Sequence, residues 1–154
     1  MYLSDILNPE SVRVLTSLTS KKRLLQEIAD TATSACGLRA NEIFDALQER
    51  ESLGPTGVGH GVALPHARIE GLAEVVGVFF KLEKPIDFGS VDRQPVDLVF
   101  ALFAPHDAGV DHLKALALVS RTLREASICA KLRANTDPGT LHAVLTEAHT
   151  NQAA

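Results

Sequence analysis

Two apolar runs constrain the fold of this chain more than any other feature. They are VVGVFFKL at residues 75–82 and DLVFALFA at residues 97–104. Near-continuous apolar runs of this length are typical of strands that are buried on both faces. A third, shorter run at residues 12–15 predicts an edge strand. Buried strands need helices on each side, so we predict an α/β/α sandwich with a mixed central sheet.

Segments with helical periodicity surround the apolar runs. Leucine, isoleucine and alanine recur three and four positions apart in KKRLLQEIADTATSAC, and Gly37 follows as a stop signal. Asn41 is placed to cap a second helix and Asp111 to cap a third. Pro138 opens the last helical pattern, because proline is favoured at the first helical position. Helices therefore alternate with buried strands, as the sandwich requires.

Length and composition restrict both the architecture and the possible partners. The 154 residues predict a single domain, residues 1–154, with an ordered core at about residues 5–148. The net charge of −4 and the lack of a long basic cluster argue against a nucleic-acid partner. No apolar run is long enough to cross a membrane, and the N-terminus lacks the features of a signal peptide. We therefore expect a cytoplasmic protein that does not insert into membranes.

The glycine-rich stretch LGPTGVGHGVALPHAR, residues 53–68, is the candidate site. Its spacing matches neither a Walker A loop nor a dinucleotide-binding fingerprint. Pro65 fixes its own backbone and holds Leu64 in an extended conformation. His66 therefore follows a rigid support, which suits an imidazole that has to be presented to another molecule.

Three chemistries are open to a presented histidine: metal binding, general base catalysis and covalent catalysis. His60 and His66 are six residues apart, as are His106 and His112, but no compact metal-binding motif accompanies either pair. No GxSxG nucleophile motif is present, so acyl-transfer hydrolysis is disfavoured. Attack of a neutral imidazole on a phosphoryl group remains, and it requires neither a metal nor another cofactor.

A phosphoryl acceptor needs donors for the phosphoryl oxygens. Main-chain N–H groups at Gly57 and Gly59 are candidates, because small residues permit close approach of a ligand to the backbone. The Thr56 hydroxyl is a further candidate, and Arg50 has the geometry to contact two oxygens at once. We predict these four residues as phosphoryl-binding residues.

The stretch RESLGPTGVGHGVALPHARIEG resembles the signature of bacterial phosphotransferase system enzyme IIA domains of the fructose/mannitol type (EIIA type 2). The resemblance extends over nearly the whole chain and is greatest to the nitrogen-regulatory branch of that family. It implies that His66 is the phosphoryl acceptor and that His112 lies beside it and hydrogen-bonds the phosphoryl group. It also implies the phosphotransferase/anion-transport-protein-like form of the sandwich. His60 stands at a position that varies in the signature.

The resemblance also implies the kind of function and partner. A protein of this type accepts phosphoryl from the phosphohistidine of an HPr-like carrier and signals by its phosphorylation state. Its regulatory targets would be proteins such as potassium transporters or sensor kinases. It would be one component of a phosphotransferase relay rather than a free-standing small-molecule enzyme. The alternatives are a sugar-specific IIA that passes phosphoryl to a IIB domain, and a docking module that is not phosphorylated.

Overall fold

The computed structural model describes residues 1–153, with side chains described up to residue 147. Helices and strands occur in groups along the chain, so the predicted alternation of helices with buried strands is wrong. In order, the elements are α1 Leu3–Ile6, β1 Leu7–Leu15, α2 Lys21–Cys36, α3 Ala40–Ser52, β2 Gly57–Gly59, β3 Val62–Ala63, β4 His66–Ile69, β5 Val76–Ile86, β6 Val96–Pro105, α4 Val110–Arg124, α5 Ala126–Ala134 and α6 Pro138–Ala153.

The strands form one mixed sheet of six strands. The strand order is β1-β5-β6-β3-β2, and β4 also pairs with β6. The central pair β5–β6 is antiparallel, whereas β1 lies parallel to β5 and both β3 and β4 lie parallel to β6. The two apolar runs are thus the two central strands, and the run at residues 12–15 is part of the edge strand β1. All three strand predictions are confirmed.

Helices cover both faces of the sheet, so the predicted α/β/α sandwich is confirmed. Successive side chains of the central strands point to opposite faces: Phe79 packs in one apolar core and Phe80 in the other. The Phe80 core lies against α2 and α3, and it includes Ile28 and Ile43. The Phe79 core lies against α4, α5 and α6. This two-sided burial explains why the central strands are apolar throughout.

Strands β3 and β4 follow the same register along β6. Val62 is opposite Leu98, and His66 is opposite Leu102, so the register is unchanged across the Leu64-Pro65 break. Pro65 has no N–H to donate, but its carbonyl accepts a hydrogen bond of 2.9 Å from Leu102 N–H. Strands β3 and β4 therefore follow one another along β6, and His66 is the first residue of β4.

Two of the predicted helix caps are wrong. Helix α3 begins at Ala40, one residue before the predicted cap Asn41, and α4 begins at Val110, one residue before Asp111. The cap of α4 is Gly109, which has a φ of 57° in the left-handed region. In both helices the actual cap residue makes no side-chain capping hydrogen bond. The predicted cap residue lies in the first turn of the helix instead.

Candidate functional site

The hydrogen-bond partners of the His66 ring determine which of its two nitrogens carries the proton. Its Nδ1 lies 2.8 Å from the carbonyl oxygen of Leu64. A carbonyl only accepts hydrogen bonds, so Nδ1 must carry the proton. The lone pair is then on Nε2, which accepts a hydrogen bond of 3.3 Å from Arg50 Nε. The rigid support predicted from Pro65 therefore fixes the tautomer as well as the position of the imidazole.

Arg50 reaches His66 from the last turn of α3. Its Nη1 donates a hydrogen bond of 2.9 Å to the carbonyl of Gly54, in the turn that follows the helix. The guanidinium is therefore tied to the loop on one side and to His66 Nε2 on the other. A cation held in this position faces any group that becomes attached to Nε2.

His112 is the second imidazole at the site. Its ring centroid lies 5.6 Å from that of His66, with the two ring planes inclined at 56°. The side chain is buried, and among the described residues its ring nitrogens have no hydrogen-bond partner. Sequence reasoning placed His112 beside His66, and the structure brings the two rings together.

Both imidazoles are held in the neutral form. Burial lowers the pKa of His66 below its usual value of 6.5; the hydrogen bond to Leu64 opposes this effect, and the positive charge of Arg50 adds to it. Burial also lowers the pKa of His112, and the nearby His66 and Arg68 lower it further. Burial is the principal cause of the lowered pKa of His112. A neutral imidazole is the form that can act as a nucleophile.

The lowered pKa values predict how the site responds to pH. We expect the NMR titration midpoints of His66 and His112 to lie below 6.5 in the folded protein and near 6.5 in urea. The unfolded chain then binds more protons than the folded chain around these midpoints. The stabilising contribution of the two neutral imidazoles is therefore complete above pH 6.5 and decreases as the pH falls through that range. Midpoints at or above the urea values would contradict this prediction.

Glu51 is a site-supporting residue for which sequence reasoning gave no role. Its side chain is only 6% exposed and pairs with Lys21 Nζ at 2.7 Å. The same carboxylate accepts a hydrogen bond of 3.2 Å from Thr56 N–H and another from the Thr56 hydroxyl. Lys21 also donates to the carbonyl of Phe88. This network ties the end of α3, which carries Arg50, to the start of α2 and to the loop before β2.

Thr56, Gly57 and Gly59 are near His66 in sequence but do not line the cavity beside it. The Thr56 hydroxyl is engaged with Glu51. Gly57 is buried in β2, where an added side chain would clash with Ser90. Gly59 has a φ of 97° at the end of the strand, which is strained for any other residue. Packing and turn geometry account for both glycines, and a phosphoryl contact by these three residues stays a prediction.

His60 belongs to a tight turn rather than to the site. His60 and Gly61 connect β2 to β3 with φ values of 55° and 78°, as in a two-residue hairpin of the I′ type. The His60 N–H donates to Asp92, and its carbonyl accepts a hydrogen bond of 2.8 Å from Arg133. The imidazole is exposed, and histidine is one of the few residues other than glycine that tolerate a positive φ.

An open cavity of about 450 Å³ surrounds the two imidazoles, between α3, β4 and α4. Arg50 and Arg68 contribute positive charge to its wall. Leu53 and Leu113 line the same cavity and are 81% and 63% exposed. Exposed leucines around a functional residue are typical of a surface that contacts other proteins. An exposed apolar patch therefore adjoins His66.

Two further sequence expectations concern metals and membranes. Within the described residues, no three His, Cys, Asp or Glu side chains are grouped so as to hold a metal ion. In the same part of the chain, no helix combines the length and apolar character needed to cross a membrane.

Comparison with protein families gives one match that covers most of the chain. The family described as phosphoenolpyruvate-dependent sugar phosphotransferase system, EIIA 2, matches residues 5–148. That range includes every element from β1 to α5 and all of the site residues described above. The match extends well beyond the glycine-rich loop.

Individual relatives agree with the family match. A nitrogen regulatory protein of Bradyrhizobium diazoefficiens is 46% identical over 145 residues, which are 94% of this chain and 95% of that protein. The crystal structure of nitrogen regulatory protein IIA-Ntr from Neisseria meningitidis has a TM-score of 0.87 and 33% identity, covering 94% of this chain and 99% of that one. The mannitol enzyme IIA of Escherichia coli, solved in complex with phosphorylated IIB, has a TM-score of 0.78 at 16% identity; it covers 92% and 99%, and shows the fold alone.

Proposed function

Because this chain belongs to the EIIA type 2 family of the phosphotransferase system, we propose that it is a phosphoryl carrier with His66 as the acceptor. One observation carries this assignment. His66 presents the lone pair of Nε2 to an open cavity, while Nδ1–H is held by the Leu64 carbonyl. The acceptor atom is therefore Nε2. Sequence alone left the choice between the two nitrogens open.

The transfer step needs no proton to leave the ring. The Nε2 lone pair attacks the phosphorus of a donor phosphohistidine, and the P–N bond of the donor breaks with its electron pair returning to the donor imidazole. The new P–N bond places positive charge on the His66 ring, which keeps its Nδ1 proton. The Leu64 carbonyl, 2.8 Å away, stabilises that charge. The phosphoryl group moves from one imidazole to another, and no water takes part.

Arg50 and His112 are placed to hold the transferred group. The Arg50 guanidinium already contacts Nε2, so it meets the phosphoryl oxygens once the bond has formed. His112 has a neutral ring with an N–H available for a further hydrogen bond. Charge-assisted hydrogen bonds of this kind are the stronger class of hydrogen bond in proteins.

His112→Ala should slow phosphoryl transfer to His66 by roughly tenfold to a hundredfold, because the charged phosphoryl group loses one hydrogen bond. The rate is measured by rapid quench with a phosphorylated HPr-like donor. His106→Ala is the matched control, because His106 is an exposed histidine just before the same helix. Circular dichroism should show an unchanged fold for both variants. Equal rates for the two variants would remove His112 from the site.

The surface around the cavity is the docking surface for the donor. Leu53 and Leu113 supply apolar contact area, and Arg50 and Arg68 supply positive charge. The same surface has to serve donor and recipient in turn, since both must reach His66, which lines this cavity. This supports an HPr-like carrier as the donor, as is general for IIA domains.

Leu113→Glu should raise the donor concentration needed for half-maximal transfer rate by roughly tenfold, because it places a carboxylate in the apolar contact. The control is Val91→Glu, since Val91 is 89% exposed and does not line the cavity. Steady-state rates over a range of donor concentrations provide the measurement. The docking assignment fails if both substitutions have the same effect.

The output of the carrier is regulatory. Relatives that are nitrogen regulatory proteins match over nearly their whole length, which supports signalling by phosphorylation state as a single-domain protein of the cytoplasm. The recipients would be proteins such as potassium transporters or sensor kinases. The alternative is onward transfer to a IIB domain, as the mannitol complex illustrates for that protein. Incubating the phosphorylated chain with purified IIB domains distinguishes the two, because only a sugar-specific IIA would lose its phosphoryl group to them.

A further inference from the structure

A second and larger cavity lies away from the two imidazoles. It has a volume of about 690 Å³ and is enclosed by the β2–β3 hairpin on one side and by α4 and α5 on the other. Its walls are mainly apolar, with the side chains of Val58, Val62 and Leu64 facing those of Leu123, Ala126 and Cys129. This volume and lining are typical of sites that bind small molecules.

Among the described residues that line this cavity there are two arginines and no carboxylate. Arg133 is neutralised, since Nε and Nη2 donate to the two oxygens of Asp97 at 2.9 Å each. Arg124 is different, because within the described part of the chain its one hydrogen bond runs from Nη2 to the Ser120 hydroxyl, at 3.1 Å. A hydroxyl does not balance a positive charge. The cavity thus combines an apolar interior with an arginine, Arg124, whose charge no carboxylate of the described residues balances.

We propose that this cavity binds a small carboxylate with an apolar body, such as a medium-chain fatty acid. The hydrocarbon part would fill the space between the hairpin and α5, and the carboxylate would pair with Arg124 through two hydrogen bonds. Arg133 is held by Asp97 and by the His60 carbonyl, so it forms a fixed wall beside the headgroup. Binding here does not depend on phosphorylation, because His66 does not line the cavity.

Isothermal titration calorimetry with sodium octanoate tests the proposal on the full chain. We expect saturable binding of one octanoate per chain with a Kd of about 1 mM or lower. Octanol, which has the same chain length without the charge, should bind roughly tenfold more weakly. Arg124→Gln should weaken octanoate binding by roughly tenfold, whereas Arg121→Gln, on the same helix but outside the cavity, should leave it unchanged.

A second substitution tests the location of the ligand. Ala130 lines the cavity and is exposed, so Ala130→Trp should fill the space without disturbing the core and should abolish octanoate binding. Absence of saturable binding to the unmodified chain would overturn the proposal. So would equal affinities for the Arg124 and Arg121 variants. A dimer in sedimentation velocity that octanoate fails to dissociate would assign the cavity to a second copy of the chain instead.

Discussion

His66→Ala should abolish phosphoryl uptake from a phosphorylated HPr-like donor. The substitution removes Nε2, the atom that combines a lone pair with a position facing Arg50. No other described group stands in the position of Nε2, because the ring centroid of the neighbouring imidazole, His112, lies 5.6 Å from that of His66. Uptake is followed with radiolabelled phosphoenolpyruvate, enzyme I and the carrier, and labelling of the variant should fall to background.

Two controls make this result specific. His60→Ala should be labelled to the full extent, because His60 lies in the hairpin turn and does not line the site cavity. His112→Ala should be labelled slowly but completely. Full labelling of the His66→Ala variant would refute the assignment of the acceptor.

Glu51→Ala should lower the free energy of unfolding by about 3 kcal/mol. The substitution removes a buried carboxylate that pairs with Lys21 and accepts two hydrogen bonds from Thr56. The Lys21 ammonium and the Thr56 N–H and hydroxyl then lose their partner while they remain partly or wholly buried. Urea unfolding followed by circular dichroism measures the difference.

The matched control is Glu49→Ala, which removes an exposed carboxylate from the same helix. Its effect should stay within about 0.5 kcal/mol, as is usual for surface substitutions. A double-mutant cycle with Lys21→Met measures the coupling between Lys21 and Glu51 directly. Equal stabilities for the Glu51 and Glu49 variants would show that the network contributes nothing to the fold.

The features that sequence predicted correctly are those that depend on local pattern. Strands that are buried on both faces, such as β5 and β6, need continuous apolar runs, and a helix with one buried face, such as α2, needs apolar residues at helical spacing. Each of these patterns is visible within one segment. The rigid support of His66 was visible too, because Pro65 acts on the residues next to it. The pairing of His66 with His112 was a different case, since their contact joins β4 to α4 and was found only through the family resemblance.

The features that sequence did not reveal depend on distant contacts. Glu51 binds Lys21, 30 positions away in the chain, and no local pattern indicates that pair. The same carboxylate engages the Thr56 hydroxyl, which had been predicted to face the phosphoryl group. The role of Gly57 was ambiguous for a similar reason. In the sequence, a glycine that is needed for close packing against Ser90 cannot be distinguished from a glycine that binds an anion.

NMR of the phosphorylated chain shows directly whether Nε2 of His66 carries the phosphoryl group. The chain is labelled with ¹⁵N-histidine, incubated with phosphoenolpyruvate, enzyme I and an HPr-like carrier, and examined by NMR through its ¹⁵N–³¹P couplings. We expect a single modified nitrogen, Nε2 of His66, with Nδ1 still protonated and hydrogen-bonded to Leu64. A phosphoryl group on Nδ1 or on another residue, or no phosphorylation at all, would refute the assignment of Nε2.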